Sequence, residues 1–296
     1  MASAEEDSDR LLSDYTNGFM VSQVLFAACE LGVFDLLAEA PGPLSSAAVA
    51  AGLGTSPEGT ELLLDTCVSL KLLRVDTGGG RALYGSTELS RRYLARNSPT
   101  SQHHILLYLA KTTYLCWGHL AQAVRDGKNQ YVRAFGVPSE EVFAAIYRRE
   151  GRPGLCIQVT RPRWALGQSE GLDRTLTAGP LRCVPGDFFK DPLPEADLYV
   201  LARILHDWSP EKCAQLLARV HRACRPGGGL LVIESLLDAD GRGPLTTQLF
   251  SLNMLVQTEG RERTPAQYRA LLAAAGFTDV QCRRTGGPYD AVLARK

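Results

Sequence analysis

The sequence has no net charge: 32 Lys and Arg are matched by 32 Asp and Glu in 296 residues. Nothing global draws such a chain to nucleic acid or to an anionic membrane, so neutral small-molecule partners are expected. It has no apolar run approaching the roughly 18 residues that would suggest a membrane span. Its eight cysteines, at 29, 67, 116, 156, 183, 213, 224 and 282, form no CxxC pair. Their dispersal argues for reduced thiols in a cytoplasmic protein rather than a disulfide framework. The opening MASAEEDSDR is acidic and lacks the pattern of a signal peptide. His103 and His104 stand side by side with no third ligand at a sensible spacing, so they are expected as exposed histidines at a loop or helix end and no metal site is expected.

With 45% hydrophobic and 22% charged residues, the chain can bury a sizeable core and is long enough for two domains. The most informative stretch is ADLYVLARILHDWSP, Ala196 to Pro210. Leu198 to Leu201 is an unbroken apolar run, the pattern of a strand covered on both faces in a parallel sheet. Arg203, His206, Asp207 and Trp208 follow it directly. Ligands of open α/β sheets bind outside the carboxyl ends of the strands, so these side chains stand where a pocket forms. Ser209 is suited to cap a helix, Pro210 to open it, and Cys213, Leu216, Leu217 and Val220 give it one apolar stripe. Arg225-Pro226-Gly227 is expected to stop that helix, and Leu230 to Ile233 reads as the second strand of a right-handed βαβ unit.

Upstream, Tyr15 to Glu30 reads as a helix whose Phe19, Met20, Leu25 and Phe26 spread a broad apolar surface that needs cover. Short and longer helices at Ser45 to Ala51 and Glu58 to Leu73 follow, the second with Leu62, Leu63, Thr66, Cys67 and Leu70 on its buried side. A hairpin around Gly78-Gly79-Gly80 completes a helix-turn-helix with a wing. Base readout would need Arg, Lys, Asn or Gln on the exposed face of the second helix. Glu58, Glu61 and Asp65 stand there instead, which argues for a dimerisation or lid role. Tyr108 to Val124 reads as one further amphipathic helix, and Pro138-Ser139 marks the expected boundary between domains 1–138 and 139–296.

Downstream, Pro244 to Gln257 is a helix with the amides Asn253 and Gln257 on one face. Pattern alone leaves two readings, a polar grip on a ligand or a solvated face. Thr264 to Gln267 has the capping-box pattern with Pro265 at the first helical position. Phe277 to Cys282 and Asp290 to Ala294 read as a closing strand pair.

Five segments carry a resemblance: TNGFMVSQVLFAACELGVF (16–34), GDFFKDPLPEADLY (186–199), LHDW (205–208), PGGGLLVIESLL (226–237) and SLNMLVQTEGRERT (251–264). Together they resemble the acetylserotonin O-methyltransferases, an S-adenosylmethionine-dependent family of small-molecule O-methyltransferases. The resemblance implies a Rossmann-like class I methyltransferase domain of α/β type, preceded by a mainly α-helical, winged-helix-like domain that makes a homodimer. It implies S-adenosylmethionine as methyl donor and the hydroxyl of N-acetylserotonin as acceptor, with melatonin as product. His206 is the implied base, with Asp207 beside it and Glu262 orienting the imidazole. Asn253 and Gln257 match positions at the acyl-amide side of the substrate, and Tyr108 matches a pocket wall supplied by the first domain. Near the cofactor, Tyr147 and Trp164 match aromatic positions, Gly186, Asp187 and Phe188 match the loop around its adenine, and Arg203 matches a group near its methionine part. From spacing alone Tyr147 and Trp164 read equally as core aromatics, and Asp187 as a turn residue.

The sequence departs from that family in one place. A class I domain opens with a strand, a G-x-G-x-G loop, a helix and a second strand ending in an acid. Only residues 165–185 lie between Trp164 and Gly186, whereas a βαβ unit needs about 30 or more. Gly227-Gly228-Gly229 follows a helix and precedes a strand, the reverse of the order a nucleotide loop requires. The domain is therefore expected to be incomplete at its first βαβ unit, with the strand at Leu198 left unpaired on that side. Two functional classes follow: the methyltransferase of the family, or a shortened, inactive variant that keeps dimerisation and does not bind S-adenosylmethionine.

Overall fold

Helix α1 spans Ala4–Leu31, starting well before the apolar spacing becomes regular at Tyr15. Glu6 and Asp7 stand in its first turn, where acids complement the helix dipole. Gly32, at φ 83°, ends α1 and leads into α2 (Val33–Glu39), a left-handed position that glycine adopts without a Cβ penalty. The computed structural model describes residues 4–138, 157–160, 182–184 and 187–296, the two short central stretches by their backbone alone. The chain divides into two units, Met1–Leu115 and Cys116–Lys296.

In the first unit, β1 (Leu44–Ser45) precedes α3 (Ser46–Leu53), and Ser45 caps that helix by accepting from the Ala48 N–H. Helix α4 (Pro57–Ser69) is capped by Ser56 in the same way. Strands β2 (Leu73–Asp76) and β3 (Leu83–Ser86) form the expected hairpin, and β1 adds to β3 as a third strand. Phe34, Val49, Leu64, Cys67 and Tyr84 centre the core of this unit. The buried stripe of α4 is Thr60, Leu64 and Cys67, whereas Leu62 is 71% exposed. The stripe is thus turned from the expected one: Leu63 and Leu64 both lie at helical spacing from Thr60 and Cys67, Leu64 buried and Leu63 half-buried, whereas Leu62 faces out. Glu58, Glu61 and Asp65 are exposed as read. Along α1, Leu11, Leu12, Tyr15, Phe19, Met20 and Val21 are all exposed.

The stretch from Tyr108 to Val124 is not one helix. Helix α5 (His103–Tyr108) runs through a π-helical turn at Leu109–Thr113 into α6 (Tyr114–Trp117), and Gly118-His119 breaks the chain before α7 (Leu120–Asp126). A glycine inside a helix costs about 1 kcal/mol relative to alanine, which favours the break there. Of the two histidines expected to be exposed, only His104 is; His103 is buried at the start of α5 with its ring edge-on to that of His104.

In the second unit, Cys116, Ala123 of α7 and Tyr131 of α8 (Tyr131–Phe135) pack around Val256, so the residues between Cys116 and Pro138 cluster with this unit. Its sheet is built on β6 (Ala196–Ala202), which pairs in parallel with β7 (Cys224–Glu234), Leu198 opposite Gly229 and Ala202 opposite Ile233. Helix α9 (Pro210–Ala223) connects them, capped by Ser209, with Cys213, Leu216, Leu217 and Val220 buried as expected. Arg225-Pro226-Gly227 does not form a separate turn. The strand starts at Cys224, and the extra residues are taken up where the register slips between Ala196 and Leu198, with Gly227 at φ 75°.

Helix α10 (Leu245–Gln257) and α11 (Pro265–Ala274) follow, and Thr264 and Gln267 form the capping box. Strands β8 (Thr278–Arg283) and β9 (Asp290–Arg295) make the closing antiparallel pair. The inner edge of β6 is not left open. Strand β4 (Ile157–Thr160) pairs with it antiparallel, Gln158 opposite Val200 and Thr160 opposite Leu198, and β5 (Arg182–Val184) pairs with β4. The sheet order is β5-β4-β6-β7-β9-β8. The backbone of β6 is therefore paired on both sides from Leu198 to Val200, but its inner neighbour runs the other way.

Candidate active site

The site is built on the sharp turn that leaves β6. Arg203 sits at φ 57°, a left-handed conformation that is uncommon for a side chain of its size, and Leu205–Asp207 forms a single 3-10 turn. Such a turn leaves backbone donors and acceptors without internal partners. Glu234, fully buried at the end of β7, takes the donors: its Oε1 accepts from the N–H groups of Ile204, Leu205 and His206 at 3.0, 2.9 and 3.4 Å. Arg263 takes the acceptors, with Nη1 donating to the Leu205 carbonyl at 2.8 Å and Nη2 to the Trp208 carbonyl at 3.3 Å. Sequence reading missed both residues. The signal for Glu234 was an acid closing a buried apolar strand, where an unpaired charge is costly.

The clamped turn presents His206, 4% exposed, to the loop after α10. Its Nδ1 lies 3.1 Å from Glu262 Oε1 and its Nε2 lies 3.5 Å from Asp207 Oδ1. Gly260 allows this approach: a Cβ there would stand 1.9 Å from the His206 carbonyl oxygen and 2.6 Å from the Asp207 carbonyl carbon. The Arg203 guanidinium donates to Glu262 Oε1 at 2.9 Å and to Glu234 Oε2 at 3.4 Å, and lies over the rings of Phe250 and Tyr289. Burial opposes a charged imidazole. The Glu262 hydrogen bond and the charges of Glu234 and Asp207 outweigh burial and the repulsion from Arg203, so His206 titrates above its ordinary value of 6.5. Burial likewise raises the Asp207 carboxyl and pushes Glu234 up to about 7.

With Nδ1–H donating to Glu262, the neutral imidazole keeps its lone pair on Nε2, which is the form a general base needs. Once Nε2 is protonated, Asp207 stands beside the new N–H. His206, Asp207 and Glu262 are thus brought together, and Arg203 joins them. Asn253 and Gln257 also meet, Gln257 Nε2 donating to Asn253 Oδ1, and the same oxygen accepts from Trp117 Nε1 at 2.8 Å. Tyr108 closes α5 in the first unit, half-buried. Tyr147, Trp164 and Gly186 lie outside the described residues.

Gly228 and Gly229 offer no cradle to the methyl donor implied by the resemblance. A Cβ on Gly228 would lie 2.5 Å from the Asp197 carbonyl oxygen, and one on Gly229 would lie 2.7 Å from that of Ala294. The space before these two glycines is filled by the chain's own backbone. Asp187 makes a turn, accepting from the Phe189 N–H at 2.9 Å and pairing with Lys190 at 3.1 Å. Phe188 is buried with its ring edge-on to Trp208, and Arg203 is committed to Glu234 and Glu262. A nucleotide crevice of this fold class opens at the carboxyl ends of neighbouring parallel strands, and β6 has no parallel neighbour on its β4 side.

Comparison with known proteins places these features in context. Residues 171–278 match the O-methyltransferase domain family, and residues 13–96 match the O-methyltransferase dimerisation domain. The chain is 57% identical to acetylserotonin O-methyltransferase of Bos taurus and 55% identical to that of Homo sapiens, each over 345 aligned positions and the full length of both chains. Those alignments run longer than the 296 residues of this chain, so each relative carries positions that have no counterpart here. Among solved structures, human N-acetylserotonin methyltransferase in complex with SAM matches with a TM-score of 0.85 at 53% identity, covering 100% of this chain and 99% of that one. PigF with SAH matches with a TM-score of 0.74 at 22% identity, a likeness of fold alone.

Proposed function

The chain belongs to the acetylserotonin O-methyltransferase family, and from that premise we propose that it methylates the hydroxyl of N-acetylserotonin to give melatonin, with S-adenosylmethionine as methyl donor. The single observation that carries the acceptor half of this reading is the buried His206 imidazole, hydrogen-bonded at Nδ1 to Glu262. A free phenol has a pKa near 10, so at neutral pH the attacking oxygen benefits from a base. His206 Nε2 takes that proton, Glu262 holds the ring in the right tautomer, and Glu262 and Asp207 stabilise the imidazolium that results. A base so placed contributes typically about 10²- to 10⁴-fold.

The partner of the first unit in this reading is a second copy of the chain. The exposed face of α1, from Leu11 to Val21, is larger and more apolar than a solvated helix end requires, and it falls within the matched dimerisation region. Among the described residues no single helix is long and apolar enough to cross a membrane, and the reduced cysteines suit a cytoplasmic enzyme.

A second reading rests on one observation, the backbone that fills the space before Gly228 and Gly229: a shortened form that retains dimerisation and does not bind the methyl donor. Calorimetry of the full chain with S-adenosylmethionine, followed by methyl-transfer assays of His206→Ala, separates the two. Under the first, the donor binds with a micromolar Kd, and His206→Ala lowers turnover about 10²-fold or more with donor affinity unchanged. Absence of donor binding overturns the first reading, and a micromolar Kd overturns the second.

A further inference from the structure

Trp117 and Asn253 stand far apart in sequence and meet in the second unit through a single bond, indole Nε1 to amide Oδ1 at 2.8 Å. The two ends of an asparagine amide are nearly alike in shape, so its orientation is normally open to a flip. Here it is settled by chemistry. An indole nitrogen only donates, so the atom facing it must be the amide oxygen. Gln257 Nε2 donates to that same oxygen. The two N–H groups of Asn253 Nδ2 take no partner among the described residues, and the residue is half-buried. The helix end therefore has a defined polarity, with the acceptor used inside and donors left over.

We propose that Trp117 is a specificity-determining positioning residue: by locking Asn253 with its oxygen inward, it makes the end of α10 a site for a hydrogen-bond acceptor, the carbonyl of an acylated amine, and against the corresponding free amine. The inference rests on the proposed acceptor, which carries such an amide. A ligand ammonium at the same place would set N–H against N–H, a like pairing that selects by repulsion as well as by attraction. With Phe at position 117 an aromatic ring remains and the indole donor goes, so only Gln257 Nε2 still holds the oxygen inward and the amide turns over more readily.

The test is calorimetry of the full chain with N-acetylserotonin and, separately, with its deacylated amine. Trp117→Phe is expected to weaken the acylated ligand by about 2- to 12-fold, the equivalent of one hydrogen bond, and to leave the free amine unchanged or tighter. Asn253→Asp, which still accepts from Trp117 and Gln257, is expected to reverse the preference toward the amine. Equal weakening of both ligands by Trp117→Phe, or an Asn253→Asp protein that keeps the preference for the acylated ligand, overturns the inference. If the unaltered chain binds neither compound, the proposed acceptor falls and this inference with it, a result distinct from binding without discrimination.

Discussion

Gly260→Ala tests whether the loop carrying Glu262 is held against the LHDW turn by backbone approach. The added Cβ would stand 1.9 Å from the His206 carbonyl oxygen and 2.6 Å from the Asp207 carbonyl carbon, where unstrained heavy-atom contacts are roughly 3.5 Å or more. Both obstacles are backbone, so no side-chain rotation relieves them, and the loop must retreat by more than about 1 Å. The Glu262 to His206 bond, now 3.1 Å, then passes beyond hydrogen-bonding range. Overpacking costs about 1 to 3 kcal/mol, and a lost hydrogen bond to a charged group about 1.5 to 3 kcal/mol. Taking about 3 kcal/mol as the effect, and roughly 2 to 4 °C per kcal/mol for a unit of this size, Tm should fall by roughly 6 to 12 °C. A separate readout is the His206 ring signal in an NMR pH titration. Burial remains while the raising partner is lost, so the imidazole must titrate lower than in the parent. A Gly260→Ala protein with unchanged Tm and unchanged His206 titration would refute the reasoning.

Glu262→Gln removes the largest influence raising His206 while leaving its size in place. Below its pKa the imidazole is already protonated and cannot act as base, so in the parent the methyl-transfer rate should rise with pH through a value above 6.5. In the variant that rise should move to lower pH with a reduced plateau, and an unmoved pH-rate profile would count against the pair. For the first unit, Tyr15→Glu with Phe19→Glu places two charges on the exposed apolar face of α1, and light scattering should then report a monomer where the parent is a dimer; a monomeric parent at micromolar concentration would dispose of the interface.

The elements that were legible in the sequence share a local cause. The Ser209-Pro210 start of α9, the Thr264 to Gln267 capping box and the closing strand pair are each written within a few neighbouring residues. His206, Asp207 and Glu262 were legible because the LHDW and EGRER segments carry a family resemblance. Their contacts depend on residues the pattern did not single out. Glu234 reads as the end of an apolar strand, Arg263 as one charge in a solvated run, and Gly260 as loop punctuation. Each acts across a sequence gap of 28 to 58 residues, and only the fold brings the partners together. The phase of α4 was misread because three successive leucines fit two faces equally well, and the tertiary contacts of Leu64 decide between them. The inner edge of β6 was misread because the pairing of Ile157–Thr160 is long-range and antiparallel, which composition does not reveal.

The same pairing separates the two sides of the site among the described residues. The turn that carries His206 is fixed from the β7 side: Glu234 ends β7, Arg263 bridges to the strand's continuation through the Leu236 pairing, and Cys213 of α9 donates to the Leu205 carbonyl. None of these contacts involves the inner neighbour of β6. Replacing that neighbour with an antiparallel strand therefore leaves the base, its tautomer and its carboxylates in place. A methyl-donor crevice has no such independence, because it depends on a parallel strand beside β6 and on a glycine loop open to the ligand. The contacts that prepare His206 to activate a hydroxyl are thus independent of the β4 side of the sheet, so donor affinity and the His206 titration are separable measurements on this chain.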